Sequence, residues 1–297
     1  MKIRIKHWTI VLISFATILF TNSCKTTLSI TELESKAEKA FSEGDYSTAL
    51  LYYEKLIKDW NQNKAFEENP YYDPAGHAAF ALKDYTKAIE YFNHSMHYGF
   101  AGEQTYLTLI EYHRGVQNFS REMTILNALI EKFPDVAQET GAHKRLFEMY
   151  VETSRWEEAA AQIPHLNNDT DITLLEQKLL VDSNLGNEKE EAIIADKLLK
   201  IDSNNQAALE WKAIKYFDAA EARYIAETEA YERNKTRSQY ARLLRGYEAA
   251  GEDYRKARDI FERLYKENPE RRYAVYLYNI YARFQDEEKA AYYRSKL

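Results

Sequence analysis

The sequence predicts an all-α chain built from antiparallel helical hairpins in tandem. Three observations carry that expectation. A ten-residue phrase is written twice on one frame, GDYSTALLYY at residues 44–53 and KDYTKAIEYF at residues 83–92, with an aromatic, an alanine and an aromatic pair at the same offsets. Apolar residues recur at three- and four-residue spacing, the period of one helix face. Only 9 Gly and 5 Pro stand beside 24 Tyr and 13 Phe, so few positions interrupt a helix.

The first thirty residues read as an address. MKIRIKH carries Lys2, Arg4 and Lys6, and Trp8 to Phe20 runs without a charge. Those 13 residues fall short of the ~20 a helix needs to cross a bilayer. Residues 1–23 are therefore expected to be a secretory signal, with a retained anchor as the other reading. Cys24, the single cysteine, follows at once in TNSCKTT. This stretch resembles the bacterial lipoprotein signal: Ser23 fits it, and Thr21 departs from the Leu common three places before the cysteine. The resemblance implies a lipidated Cys24 as the mature N-terminus; an unmodified thiol is the alternative. Residues 24–30 then form a tether, of which Lys25 to Ile30 reach roughly 20 Å when extended. Lys25 is not the Asp of inner-membrane retention, and no acidic cluster follows Cys24. A periplasm-facing outer-membrane placement is expected, with surface exposure left open.

The aromatic of the phrase recurs down the chain. Tyr46 to Tyr85 is 39 residues, Tyr85 to Phe119 is 34, and Phe119 to Trp156 is 37. Small residues, Ala37, Ala40, Ala49, Ala75, Gly76, Ala79 and Ala88, fall where two helices cross, and Tyr53, Leu56, Tyr72 and Phe92 fall where gaps need filling. This period and these residues resemble the tetratricopeptide repeat, from about Thr31 to the C-terminus. The resemblance implies a right-handed superhelical solenoid of about eight hairpins, its concave side lined by the first helix of each. Hairpins are expected over residues 31–171, irregular helices over 172–233, and further hairpins with a terminal helix over 234–297. Glu122 stands where the family has Ala, which predicts a splayed hairpin. Residues 206–233 contain no Gly or Pro and read either as one long helix or as two with a bend near Asp218. A late unit is expected with Tyr240, Leu243, Leu244 and Tyr247 on a first helix, a turn at Gly251, then Tyr254, Ala257, Phe261 and Leu264.

Chemistry is sparse. No glycine-rich phosphate loop, nucleophile elbow, zinc-protease motif or calcium loop is present. His94 and His97 are three apart, but no third ligand accompanies them. Glu157, Glu158, Glu287 and Glu288 read as solvated helix charges. The net charge of −7 disfavours a general nucleic-acid binder, and the sixteen basic residues from Arg233 onward are interspersed with ten acidic ones.

Projecting the repeat onto the chain aims Glu34, Glu38, Phe41, His77, Phe80, Glu111, Arg114, Lys144 and Glu148 at the concave groove. Glu34 and Glu38 stand where some tetratricopeptide proteins carry a basic clamp for acidic tails, so a basic or polar segment is the expected occupant. A possible second docking surface lies in RRYAVYLYNIYARF, with Arg271, Arg272 and Arg283 among the aromatics. The expected function is a non-enzymatic envelope scaffold binding a protein partner, without cofactor, metal, nucleic acid or small-molecule ligand. A glycan-binding accessory and a self-associating structural protein are the alternatives.

Overall fold

The computed structural model describes residues 28–64, 68–166 and 170–297. Cys24, the leader and most of the tether lie outside them. The described residues form fifteen α-helices and one 3-10 turn: α1 Ile30–Ser42, α2 Tyr46–Asn63, α3 Tyr72–Ala81, α4 Tyr85–Tyr98, α5 Glu103–Gly115, α6 Phe119–Lys132, α7 Pro134–Glu139, α8 Ala142–Glu152, α9 Trp156–Gln162, α10 Ile172–Leu185, α11 Glu188–Ile201, α12 Gln206–Arg233, α13 Arg237–Glu267, α14 Arg271–Arg283 and α15 Glu287–Arg294. Two compact units are present, one ending at Thr105 and one running Tyr106–Leu297.

One turn recurs inside the hairpins. A residue with positive φ is followed directly by the residue that begins the second helix: Gly44-Asp45, Lys83-Asp84, Gln117-Asn118, Ser154-Arg155, Gly186-Asn187 and Gln285-Asp286. Asp45, Asp84, Asn118 and Asp286 each accept a hydrogen bond from the backbone N–H three residues on, which satisfies a donor the helix leaves orphaned. Only Gly44 and Gly186 enter the left-handed region without steric cost. The turn is thus set by the pair of positions more than by glycine.

Four residues past each of these caps the second helix crosses the first. Ala49, Ala88 and Ala159 occupy that position fully buried, and Ala290 is nearly so. In the first unit Gly76 meets Phe92 there, and a Cβ on Gly76 would lie 2.6 Å from the ring. The repeated phrase is therefore a building block, with Ala88 and Phe92 in the core. Tyr85 is the exception, being exposed and packed edge-on against Phe80.

At the same cap-plus-four position the second unit twice buries a carboxylate. Glu122 is fully buried on α6 and takes Arg114 of α5 at 2.9 Å and Arg145 of α8 at 2.8 and 3.0 Å. Glu191 on α11 accepts from the Trp211 indole N–H at 2.8 Å and pairs with Lys215 at 3.0 Å, both on α12. The larger side chain where the family has Ala is accommodated by reaching the next hairpin's first helix. Burial raises the Glu122 carboxyl, but the hydrogen bonds from Arg145 and Arg114 outweigh it and hold the group below its usual range.

One expectation requires correction, and one open alternative is decided. No turn forms at Gly251, because α13 runs unbroken from Arg237 to Glu267. The spacing explains it: elsewhere the left-handed residue and the cap are adjacent, whereas Glu252 separates Gly251 from Asp253. The helix pays about 1 kcal/mol for an interior glycine, and the buried Ala250, Tyr254, Ala257 and Phe261 hold it straight through. Residues 206–233 form the single 28-residue helix α12, with no break at Asp218. α12 and α13 pair with each other along the chain, so the described residues make seven hairpins.

Two outcomes are expected. Gly76→Ala destabilises the first unit by about 1–3 kcal/mol in urea melts, and adding Phe92→Leu recovers part of the loss. Glu122→Gln lowers stability at neutral pH by about 2 kcal/mol, less than for a fully buried pair because Arg114 is half exposed. The depressed carboxyl contributes above its unfolded value, and that contribution disappears as pH falls through the folded value. Acid titration of stability should therefore be shallower in Glu122→Gln than in the parent; parallel curves would refute the assignment.

Candidate functional site

In the first unit the residues expected in the groove are largely engaged within the fold. Glu34 accepts a hydrogen bond from the Tyr71 hydroxyl, and Glu38 is exposed on α1. Phe41 packs edge-on against Tyr46, and Phe80 against Tyr85 in the same five-residue relation across the turn. These two rings therefore brace hairpin turns. His94 stacks on Tyr72 at 3.7 Å between centroids, while His97 is exposed beside Tyr98.

His77 belongs to a polar cluster resembling a nucleophile with its base. The Thr105 hydroxyl lies 3.0 Å from His77 Nε2 and donates to Asp73 at 2.6 Å, and Ser95 donates to the same Asp73 oxygen at 3.2 Å. The roles differ from a catalytic triad. Asp73 binds the hydroxyl instead of orienting the far nitrogen of the imidazole, and both Thr105 and Ser95 are fully buried. Burial pushes His77 below its usual range against the pull of Asp73. The cluster ties α3 to α4 and to the start of α5.

In the second unit Glu111 and Arg114 line one cavity of about 300 Å³ with Arg145. Arg114 is partly committed there to Glu122. Lys144 instead pairs with Asp171 at 3.1 Å and borders a separate small cavity with His143 and His165, whose rings stack at 4.2 Å. Glu148 is half-buried on α8. The three arginines near the C-terminus also separate. Arg271 is exposed; Arg283 binds Glu221 at 2.7 and 3.0 Å and lies over the Tyr224 ring; Arg272 pairs with Glu210 at 2.9 Å and with Glu270 at 2.8 Å.

Arg272 leads to the principal site of this unit, a cavity of about 500 Å³ bordered by α10, α12 and α14, the first helices of three successive hairpins. Its apolar surface comes from Leu179, Leu180, Trp211 and Ile214, with Leu180 47% exposed. Glu176, Glu210, Ser183 and Gln206 supply polar groups. Glu210, Glu176 and the Trp211 indole are each positioned by a neighbour. The Tyr273 hydroxyl and Arg272 hold Glu210, Asn205 donates to Glu176 at 2.6 Å, and Glu191 fixes the indole of Trp211. Burial, then the hydrogen bond to Glu210, pushes the Tyr273 phenol up to about 12, so it remains a donor at neutral pH. An apolar floor with a few oriented polar groups is the composition of a recognition site.

Sequence reasoning placed only Arg272 at this cavity. Apart from Tyr273, which follows it directly, the other lining residues lie in the irregular stretch 172–233, where no repeat register could aim them. The Gly186-Asn187 turn followed by Glu191 at the cap-plus-four position was the available signal.

Comparison with known proteins gives fold-level likeness only. No family model matches the chain, and no curated protein matches it. Among solved structures, YrrB, described as a tetratricopeptide protein with an unusual peptide-binding site, is 15% identical, with a TM-score of 0.39, over 62% of this chain and 92% of its own. A tetratricopeptide protein from Parabacteroides merdae is 13% identical, with a TM-score of 0.38, over 90% of this chain and 91% of its own. A repeat protein of the same kind from Bacteroides fragilis is 14% identical, with a TM-score of 0.33, over 91% of this chain and all of its own. The chain is similar to tetratricopeptide-repeat proteins, an all-α solenoid of helical hairpins.

Proposed function

We propose that this chain is a non-enzymatic scaffold, tethered by lipid to the outer membrane and facing the periplasm, that holds a polypeptide segment of a partner protein. The observation that carries the reading is the cavity between α10, α12 and α14. Its apolar floor of Leu179, Leu180 and Ile214 suits an aliphatic or aromatic anchor, and Glu176 and Glu210 on its border favour a polar or basic neighbour on the same segment. The lipid tether is supported by the leader: three basic residues, an uncharged stretch too short to span a bilayer, and Cys24 directly after it.

A test places a photo-crosslinking residue at Ser183 in the native host. The expected result is one envelope polypeptide captured there, lost when Cys24→Ser removes the lipidation site and weakened about tenfold or more by Leu180→Asp. Capture undiminished by Leu180→Asp would reject the cavity as the docking point; capture undiminished by Cys24→Ser would reject the tether.

A further inference from the structure

α12 and α13, at 28 and 31 residues, are about twice as long as α11 and α14, at 14 and 13. α14 ends where Arg283 binds Glu221 of α12 and Phe284 packs on Tyr254 of α13. Past that point, among the described residues, every hydrogen bond, ion pair and ring contact of residues 225–250 is made within the pair and its connecting turn. Thr228 meets Tyr247, Glu227 meets Arg242, and Tyr231 meets Tyr240. Two helices alone bury little: only Leu243 and Ala250 are buried in this stretch, while Ile225, Tyr240 and Leu244 stay 49%, 48% and 50% exposed.

The outer side of α13 carries an ordered stripe. Arg237, Ala241, Leu244 and Glu248 follow at spacings of four, three and four, which places them along one helix face, and all four are exposed. That face points away from α12, because Leu243 is buried between the two helices, Gly246 lies against Glu227 and Tyr247 stacks on Tyr224. Neither Arg237 nor Glu248 forms an ion pair within 4.0 Å among the described residues.

We infer that this stripe is a self-association surface, through which two copies of the chain pair along the outer faces of α13 in antiparallel orientation. The stripe reads basic, small, large, acidic. Turned end for end about a twofold axis between Arg242 and Leu243, it becomes its own complement. Arg237 of one copy meets Glu248 of the other, Ala241 meets Leu244, and symmetry repeats each contact. Parallel pairing would set Arg237 against Arg237 and Glu248 against Glu248, so charge selects the antiparallel orientation. Tyr240, one turn before Leu244, flanks the seam and gains cover at its edge. The seam spans roughly 17 Å of helix, well short of a standard interface, so the pairing is weak and concentration-dependent. The stripe shares no residue with the α10, α12 and α14 cavity proposed to hold a protein segment.

The experiment is sedimentation equilibrium of the full chain in density-matched detergent, from about 10 μM to about 1 mM, the range in which an interface of this size associates. A monomer–dimer equilibrium is expected. Leu244→Asp should weaken it about tenfold or more, whereas Leu51→Asp, equally exposed on α2, leaves it unchanged. Arg237→Glu and Glu248→Arg should each weaken it about tenfold by opposing like charges twice per dimer, and the double variant should return to within about twofold of the parent. All of these positions are exposed, and an unchanged helical circular dichroism spectrum verifies that each variant folds. Monomer throughout the range, equal loss in Leu51→Asp, undiminished dimer in Leu244→Asp, or a double charge variant no stronger than the single ones would overturn the inference.

Discussion

The architecture depends on how closely two helices can approach at one point. Four residues after the cap in the six hairpins that share the left-handed turn, the side chain must be small or must have somewhere else to go. Ala49, Ala88 and Ala159 satisfy the first condition, and the same crossing region in the first unit needs the bare Cα of Gly76 against Phe92. Packing at interior density leaves no room for an added methyl there, so the turn preceding the crossing is equally constrained. The left-handed residue and the adjacent cap fix where the second helix starts, and hence which residue reaches the crossing.

Glu122 and Glu191 show the second way of meeting the same constraint. A carboxylate at the crossing must find donors, and each finds them on the following first helix. The crossing within one hairpin is thereby coupled to the stacking of the next. Tyrosine hydroxyls extend this ladder where carboxylates are not at the crossing: Tyr71 to Glu34, Tyr91 to Glu54, and Tyr254 to Glu221 link residues 33 to 37 apart in sequence, about one repeat. Many of the tyrosines that look like an interface composition in the sequence are spent on this role. Tyr254, Tyr273, Tyr281 and Tyr293 are buried, which leaves the C-terminal region less aromatic in solvent than its composition suggests.

Function then falls to surfaces that the stacking leaves open. The α10, α12 and α14 cavity arises because three first helices border it while their large side chains are held by neighbours, Trp211 by Glu191 and Tyr273 by Glu210. The cavity where the end of α9 meets α10 and α11 differs in its lining, which mixes Leu175, Ile193 and Ile194 with Lys178, Lys197, Asp182 and Glu190.

The sequence by itself determined the helical class and the packing roles of Ala49, Ala88, Tyr53 and Phe92. These follow from local rules: a three- to four-residue apolar period and a small residue at a fixed offset. Tertiary structure decided what those rules leave degenerate. Gly251 could mark a turn or sit inside a helix, and packing along α12 and α13 chose the helix. Glu122 was read only as an oversized residue at a helix crossing, and the structure supplies its partners, Arg114 eight residues before it and Arg145 23 residues after it. Phe41 and Phe80 were read from repeat register alone, and only the structure supplies the rings that pack edge-on against them, Tyr46 and Tyr85, on the other helix of the hairpin. A side chain's partner on another helix is fixed by three-dimensional packing, and no periodicity along one helix encodes it.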